Sequence, residues 1–240
     1  MEPRPSVIQS RLKNVERVIA VASGKGGVGK SMVASTLALT LAKQGKKVGL
    51  LDLDLYGPSS HVILGFTPDG FPDEDQGIIP QEIEGIKFMS LVYFSEDKPG
   101  AFRGDDVTNI ILELLAITRW DDLDYLILDL PPGIGDETLD VISYIPQTEF
   151  LVITTPSKVA FKAVEKLLRI LLEGNHQLLG VVENMAQAKN GFIAKKLEPL
   201  DVNHLATLRF DETLEAAIGD LSRLLSTDFA GDVSRLSKIM

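Results

Sequence analysis

The stretch SGKGGVGKSM, Ser23–Met32, places four glycines and two lysines in a chain of formal net charge −10. Gly24, Lys25, Gly26, Gly27, Val28, Gly29, Lys30 and Ser31 satisfy the pattern Gly-x-x-x-x-Gly-Lys-Ser, and Met32 continues the segment. That spacing is the signature of a phosphate-binding loop when it follows a strand and opens a helix. Glycines let backbone amides close around phosphates without β-carbons in the way. A helix starting at the loop adds the positive end of its dipole. The pattern predicts Lys30 on the β- and γ-phosphates of a nucleotide and the Ser31 hydroxyl on Mg²⁺. A merely structural glycine turn would require neither the lysine nor the helix.

Carboxylates form the second set. In LLDLDLYGPSS, Asp52 and Asp54 close a strand two residues apart, so they should point the same way. Like charges so placed need a cation or a water network, unless they are simply two solvated loop carboxylates. In LDYLILDLPPGIGDE, Asp129 ends a strongly apolar strand, where a lone carboxylate is costly to bury. A role holding Mg²⁺ through water explains it, and the Pro-Pro-Gly-Ile-Gly turn that follows could register the γ-phosphate.

The elements that must position these groups are legible in the hydrophobic pattern. Short apolar runs predict strands at Val18–Ala22, Lys47–Asp54, Ile86–Val92, Tyr125–Leu130, Phe150–Thr155, Leu178–Asn184 and Ala206–Phe210. Helical spacing predicts helices at Lys30–Gln44, Asp105–Ile117, Asp136–Ile145 and Lys158–Glu173. Strands apolar on both faces and alternating with helices imply an α/β, doubly wound, mainly parallel sheet flanked by helices. Ligands in such folds bind beyond the carboxyl ends of the strands. Residues 1–16 read as an N-terminal arm for a possible partner contact, and 17–240 as a single domain. Within the arm, SVIQSRL could form one or two amphipathic turns or stay disordered. The acidic segment Phe66–Gly77 reads as a solvated loop, and AQAKNGF, Ala186–Phe192, could edge a site.

Composition narrows the function classes. The chain has 240 residues, 45% hydrophobic, enough for one large domain with a real core. It has no cysteine, which excludes disulfides, thiolate zinc sites and any iron–sulfur cluster ligated by its own thiolates. No apolar run approaches the about 20 residues of a membrane span, and the start lacks the apolar stretch of a secretory signal. A cytoplasmic location is the expectation. The acidic balance argues against non-specific nucleic-acid binding. His61, His176 and His204 show no metal-ligand spacing.

Lys25, directly after the first glycine, makes GKGGVGKS resemble the deviant Walker A motif of the MinD/ParA/Mrp ATPases. IAVASGKGGVGKS, GLLDLDLYGPSS, LDYLILDLPPGIGDE and LGVVENM are most similar to the Mrp branch, the iron–sulfur carrier ATPases. The likeness runs over roughly Lys13–Asp220. It implies a P-loop ATPase binding ATP or ADP with Mg²⁺, and an ATP-dependent homodimer in which Lys25 reaches the partner's phosphates. It further implies that Lys30 binds phosphate, that Asp54 positions the attacking water with Asp52 assisting the metal's water shell, and that Asp129 is the Walker B acid. Asn184 would read the adenine edge. Phe210 and Asp211, in LRFDETLEAA, match the family's loop near the base, although Arg209 and Glu212 stand where prolines usually sit. After VVENM the Mrp carriers have a Cys-x-x-Cys, and this sequence has AQAKNGFIAKKLEPLD.

An intact nucleotide motif without cluster ligands points to an ATP-driven switch in metal-centre assembly whose metal is held by another protein. By resemblance, an archaeal HypB-type protein of nickel–iron hydrogenase maturation, working with a HypA-like nickel chaperone, fits best. The alternatives are a Mrp-like iron–sulfur assembly ATPase acting through a cysteine-bearing partner and a MinD- or ParA-like positioning ATPase. The C-terminal LLSTDFAGDVSRLSKIM, with two aspartates and a glycine, makes a poor membrane anchor, and no nucleic-acid or membrane partner is expected. No Asn-Lys-x-Asp guanine signature accompanies the loop, which favours ATP over GTP.

Overall fold

The structure, a computed structural model, describes residues 4–54, 57–68, 70–93, 104–133, 135, 142–187 and 191–240, without the side chains of 104–107. Its centre is a sheet of eight strands among the described residues: β1 (Val15–Ser23), β2 (Val48–Asp52), β3 (Gln81–Ile83), β4 (Ile86–Ser90), β5 (Leu123–Asp129), β6 (Thr148–Thr154), β7 (Gln177–Ala186) and β8 (His204–Arg209). They lie in the order β3-β4-β2-β5-β1-β6-β7-β8. Every pairing is parallel except β3 with β4. The seven strands read from sequence are all present, with ends shifted by at most three residues. The three-residue antiparallel β3 carried too short a pattern to be read.

The central strands are buried on both faces, which is why they read as continuous apolar runs rather than alternating ones. Helices α2 (Lys30–Lys43), α4 (Gly104–Ile117) and α5 (Lys158–Glu173) match the helical spacing. The predicted helix Asp136–Ile145 lies mostly outside the described residues. Short helices α3 (Ser60–Ile63), α6 (Phe192–Leu197) and α7 (Leu221–Ser226) and the longer α8 (Asp228–Leu236) lie outside the stretches whose spacing predicts helices. The C-terminal α8 buries its apolar stripe, Phe229, Val233 and Leu236, in the core.

The N-terminus differs from a free arm. Residues Arg4–Leu12 form helix α1, which packs on α4 and buries Ile8 and Leu12 completely. Arg4 donates to Asn109 Oδ1 at 2.8 Å, and Arg11 Nε donates to the Ala116 carbonyl at 3.0 Å. β1 begins at Val15, so the boundary drawn after residue 16 falls inside a central strand. The acidic segment is also anchored rather than merely solvated. Asp75 pairs with Arg119 at 2.6 Å, and Arg11 donates to the Gln76 carbonyl.

Parallel register puts the chemistry together. Asp52 at the end of β2 stands directly beside Asp129 at the end of β5, and Val21 of β1 flanks Asp129 on the other side. The loop leaving β1 therefore emerges next to two carboxylates from neighbouring strands.

Candidate nucleotide site

The loop from Gly24 to Gly29 connects β1 to α2. Gly24 is required by close approach, since a β-carbon there would lie 2.5 Å from the Ala163 backbone carbon of α5. Gly27 and Gly29 have φ of +76° and +81°, the left-handed region where side chains are strained. A β-carbon on Gly29 would also meet Asn184 Nδ2 at 2.3 Å. Gly26 and Lys25 are exposed, Val28 is buried, and Met32 is partly buried against the core.

Helix α2 starts at Lys30 with Gly29 as its N-cap, and no side chain caps it; its first turn holds no acidic residue. A fourteen-residue helix thus presents its orphan N–H groups and dipole to whatever lies over the loop. Lys30 is buried, and its Nζ pairs with Asp129 Oδ1 and lies 3.2 Å from Ser31 Oγ. Ser60 Oγ donates to Asp129 Oδ2 at 3.3 Å.

Asp52 is fully buried. Its Oδ1 accepts from Asp54 N at 3.0 Å, and its Oδ2 accepts from Ser59 N and Ser60 N, each at 3.1 Å. Burial foremost, and then the neighbouring Asp129 charge, push its carboxyl up to about 7; the N–H bonds from Asp54 and Ser60 and the Lys30 charge pull the other way. The strand ends at Asp52, so the two-residue alternation no longer governs Asp54. The expected matched pair is split: Asp52 is sealed inside as an acceptor for the start of α3, while Asp54 is half-exposed with Oδ1 accepting from Gly57 N at 3.1 Å.

Asn184, near the end of β7, is buried and donates to the Val28 carbonyl at 2.9 Å, so its amide props the phosphate loop. Phe210 follows β8 and is half-exposed, its N–H donating to the Ala186 carbonyl. Asp211 turns inward: Oδ1 accepts from the Thr213 hydroxyl at 2.6 Å and Oδ2 from Phe229 N at 3.2 Å, and the Thr213 bond foremost holds the carboxyl below its usual range. Arg209, standing in a proline position of the resembled loop, forms a two-pronged pair with buried Asp232 at 3.0 and 3.1 Å. Gly133 of the Pro-Pro-Gly turn donates to the Ser23 carbonyl at 3.1 Å, tying that turn to the loop's base.

The histidines lie apart. His204 Nε2 sits 3.8 Å from buried Glu183, the His176 ring meets Phe150 edge-on, and His61 is partly buried with its pKa lowered by desolvation. Among the described residues no group of three or more His, Cys, Asp or Glu could hold a metal ion, and no helix is long and apolar enough to cross a membrane.

The residues present fit a nucleoside phosphate with a divalent cation. The helix end is uncapped, the glycine loop is open above Gly27, a lysine waits on an acid, and a hydroxyl and two buried carboxylates converge. Ser59 and Ser60 escaped the sequence reading. The serine pair after Gly57-Pro58 was the available signal, because serines of that kind commonly start helices.

Comparison with known proteins agrees. Residues 14–215 match the family described as ParA: NUBPL iron-transfer P-loop NTPase. An iron–sulfur cluster carrier protein of Pseudomonas fragi is 42% identical over 178 residues, 73% of this chain and 62% of that protein. The chloroplastic Fe-S cluster assembly factor HCF101 of Arabidopsis thaliana is 36% identical over 93% of this chain and 44% of its own length. The chain thus spans about half the length of the curated relatives it matches. A nucleotide-binding protein of Archaeoglobus fulgidus, solved in complex with ADP and with cobalt found in it, shares 32% identity with a TM-score of 0.77, covering 92% of this chain and 93% of that one. The cell-division ATPase MinD of Pyrococcus furiosus, 21% identical with a TM-score of 0.67, shares the fold. This chain belongs to the NUBPL iron-transfer family of P-loop NTPases.

Proposed function

We propose that this chain is a Mg²⁺-dependent ATPase that acts as a switch in iron–sulfur cluster assembly, with the cluster's thiolate ligands supplied by a cysteine-bearing partner. The observation that carries it is the phosphate cradle, an uncapped helix start with Lys30 and two buried carboxylates, in an iron-transfer family member that has no cysteine. Nickel insertion with a HypA-like chaperone gives way to this reading, because the curated relatives named above are iron–sulfur carriers and assembly factors.

In this reading Lys30 exchanges its Asp129 partner for the β- and γ-phosphate oxygens, to which the loop and α2 amides also donate. Mg²⁺ would be held by Ser31 Oγ, with Asp52 and Asp129 behind it through water, and would supply charge neutralisation at the phosphate oxygens. Asp54, outside the buried pair and open to solvent, orients the attacking water. Lys25, exposed on the loop, is free to reach the nucleotide of a second copy in an ATP-stabilised homodimer. Asn184, Phe210 and Asp211 flank the base. A partner's hold on its cluster can change only by as much as that partner discriminates the nucleotide states.

The test is anaerobic reconstitution and transfer. Alone, the chain should yield no stoichiometric cluster by iron analysis and absorption spectroscopy. With a cysteine-bearing relative loaded with a cluster, Mg-ATP should change the rate of transfer to an apo-ferredoxin. Equal rates with ATP, ADP and no nucleotide would remove the switch. ATP-dependent transfer of nickel from a nickel chaperone, with no effect on clusters, would restore the nickel reading.

A further inference from the structure

A groove of about 640 Å³ lies between α5 and α6, away from the phosphate cradle. Its floor is aromatic: Phe161 of α5 is buried and meets Phe192 of α6 edge-on, with ring centroids 6.2 Å apart. Its rim is cationic, carrying Lys158, Lys162, Arg169 and Lys196, all exposed. Among the described residues one carboxylate lines the groove, Glu165, shared by Lys162 at 2.9 Å and Arg169 at 3.1 Å. Lys158 and Lys196 pair with no carboxylate among the described residues. This concentration of positive charge is unusual in a chain of net charge −10.

We propose that the groove between α5 and α6 docks an acidic segment of a partner protein that inserts one bulky apolar side chain over the Phe161–Phe192 floor. Charge complementarity sets the occupant. Screening over about 8 Å at physiological salt makes a bound segment respond to the rim and not to the acidic remainder of the chain. Elsewhere that remainder repels acidic partners, so attraction at this place alone fixes where and how such a segment lands. The floor excludes the other polyanions. Phe161 is buried and Phe192 is partly buried, so neither ring stands out as the exposed flat platform on which bases stack. A concave groove cannot press its apolar floor into a bilayer as an amphipathic helix does. One wall, α5, also lies against the phosphate loop, its Ala163 backbone standing 2.5 Å from where a β-carbon on Gly24 would fall.

The probe is a short fluorescein-labelled peptide of glutamates and aspartates around one phenylalanine, titrated with the full chain by fluorescence anisotropy. Replacing the phenylalanine with serine, or the acids with their amides, should each weaken binding at least about tenfold. Lys158→Glu with Lys196→Glu should do the same, while Lys46→Glu with Lys238→Glu, elsewhere on the surface, should leave affinity within about twofold. Because the peptide variants are read on the wild-type chain, the result does not depend on how the reversed variant folds. Equal affinity for acidic and amidated peptides, or equal binding by wild type and K158E/K196E, would overturn the proposal. So would tighter Lys158- and Lys196-dependent binding of phosphatidylserine vesicles or of oligouridylate than of the peptide.

Discussion

Replacing Lys30 should damage the empty protein before any nucleotide is added. The usual expectation for a phosphate-loop lysine is a folded protein that cannot bind. Here Lys30 is also the cation facing Asp129, and Asp52 lies beside Asp129 across the β2–β5 register, both carboxylates fully buried. Lys30→Met leaves them without a positive partner, a loss worth about 3–5 kcal/mol when one member of a buried pair is removed. The pH dependence follows from Asp52. Its carboxyl is raised to about 7 from an ordinary 3.8. Its contribution to stability is therefore full below about 3.8 and lost as pH rises toward 7, at about 1.4 kcal/mol per unit, or at most roughly 4 kcal/mol. Lys30 is one of the influences lowering that carboxyl, so without it the loss extends to higher pH. Urea unfolding of nucleotide-free protein should show K30M least affected at pH 5 and most affected at pH 8. Lys30→Met with Asp129→Asn should regain most of the stability yet still fail to bind ATP by calorimetry. A K30M protein within about 0.5 kcal/mol of wild type at pH 8 would refute the reasoning, as would a penalty equal at both pH values.

Three further outcomes are expected. Gly29→Ala should lower stability by about 1–2 kcal/mol from its left-handed backbone and abolish ATP binding by displacing Asn184 from Val28; calorimetry on G29A and on G29A/N184A separates the two effects, since the double variant relieves the clash but not the strain. Asp54→Ala should bind Mg-ATP normally and lose at least about a hundredfold in single-turnover hydrolysis, and a change under about twofold would make Asp54 merely structural. Lys25→Ala should leave monomer stability and ATP binding intact while removing the ATP-dependent dimer, read by light scattering on a sizing column; an undiminished dimer would strip Lys25 of its role across the interface.

The order of short apolar runs and helical stretches determined by itself the class of fold and the strand that carries the phosphate loop, because strands buried on both faces leave runs too short for helices, alternating with stretches of helical spacing. The spacing of Gly24, Gly29, Lys30 and Ser31 likewise announced phosphate chemistry, since few other uses need glycines, a lysine and a helix start in that order. Tertiary structure decided the rest. Asp129 and Asp52 are neighbours only through the register of β5 against β2, a relation between residues 77 apart in sequence. The split between sealed Asp52 and half-exposed Asp54 depends on where β2 stops, which hydrophobic alternation could not place. Docking of α1 rests on the hollow that α4 offers Ile8 and Leu12, so a helix of nine residues, too short to be stable alone, is held by packing. Lys158 and Lys196 became one cationic rim only when the sheet brought α5 and α6 side by side, for long-range juxtaposition is set by the whole core and leaves no local trace in the chain.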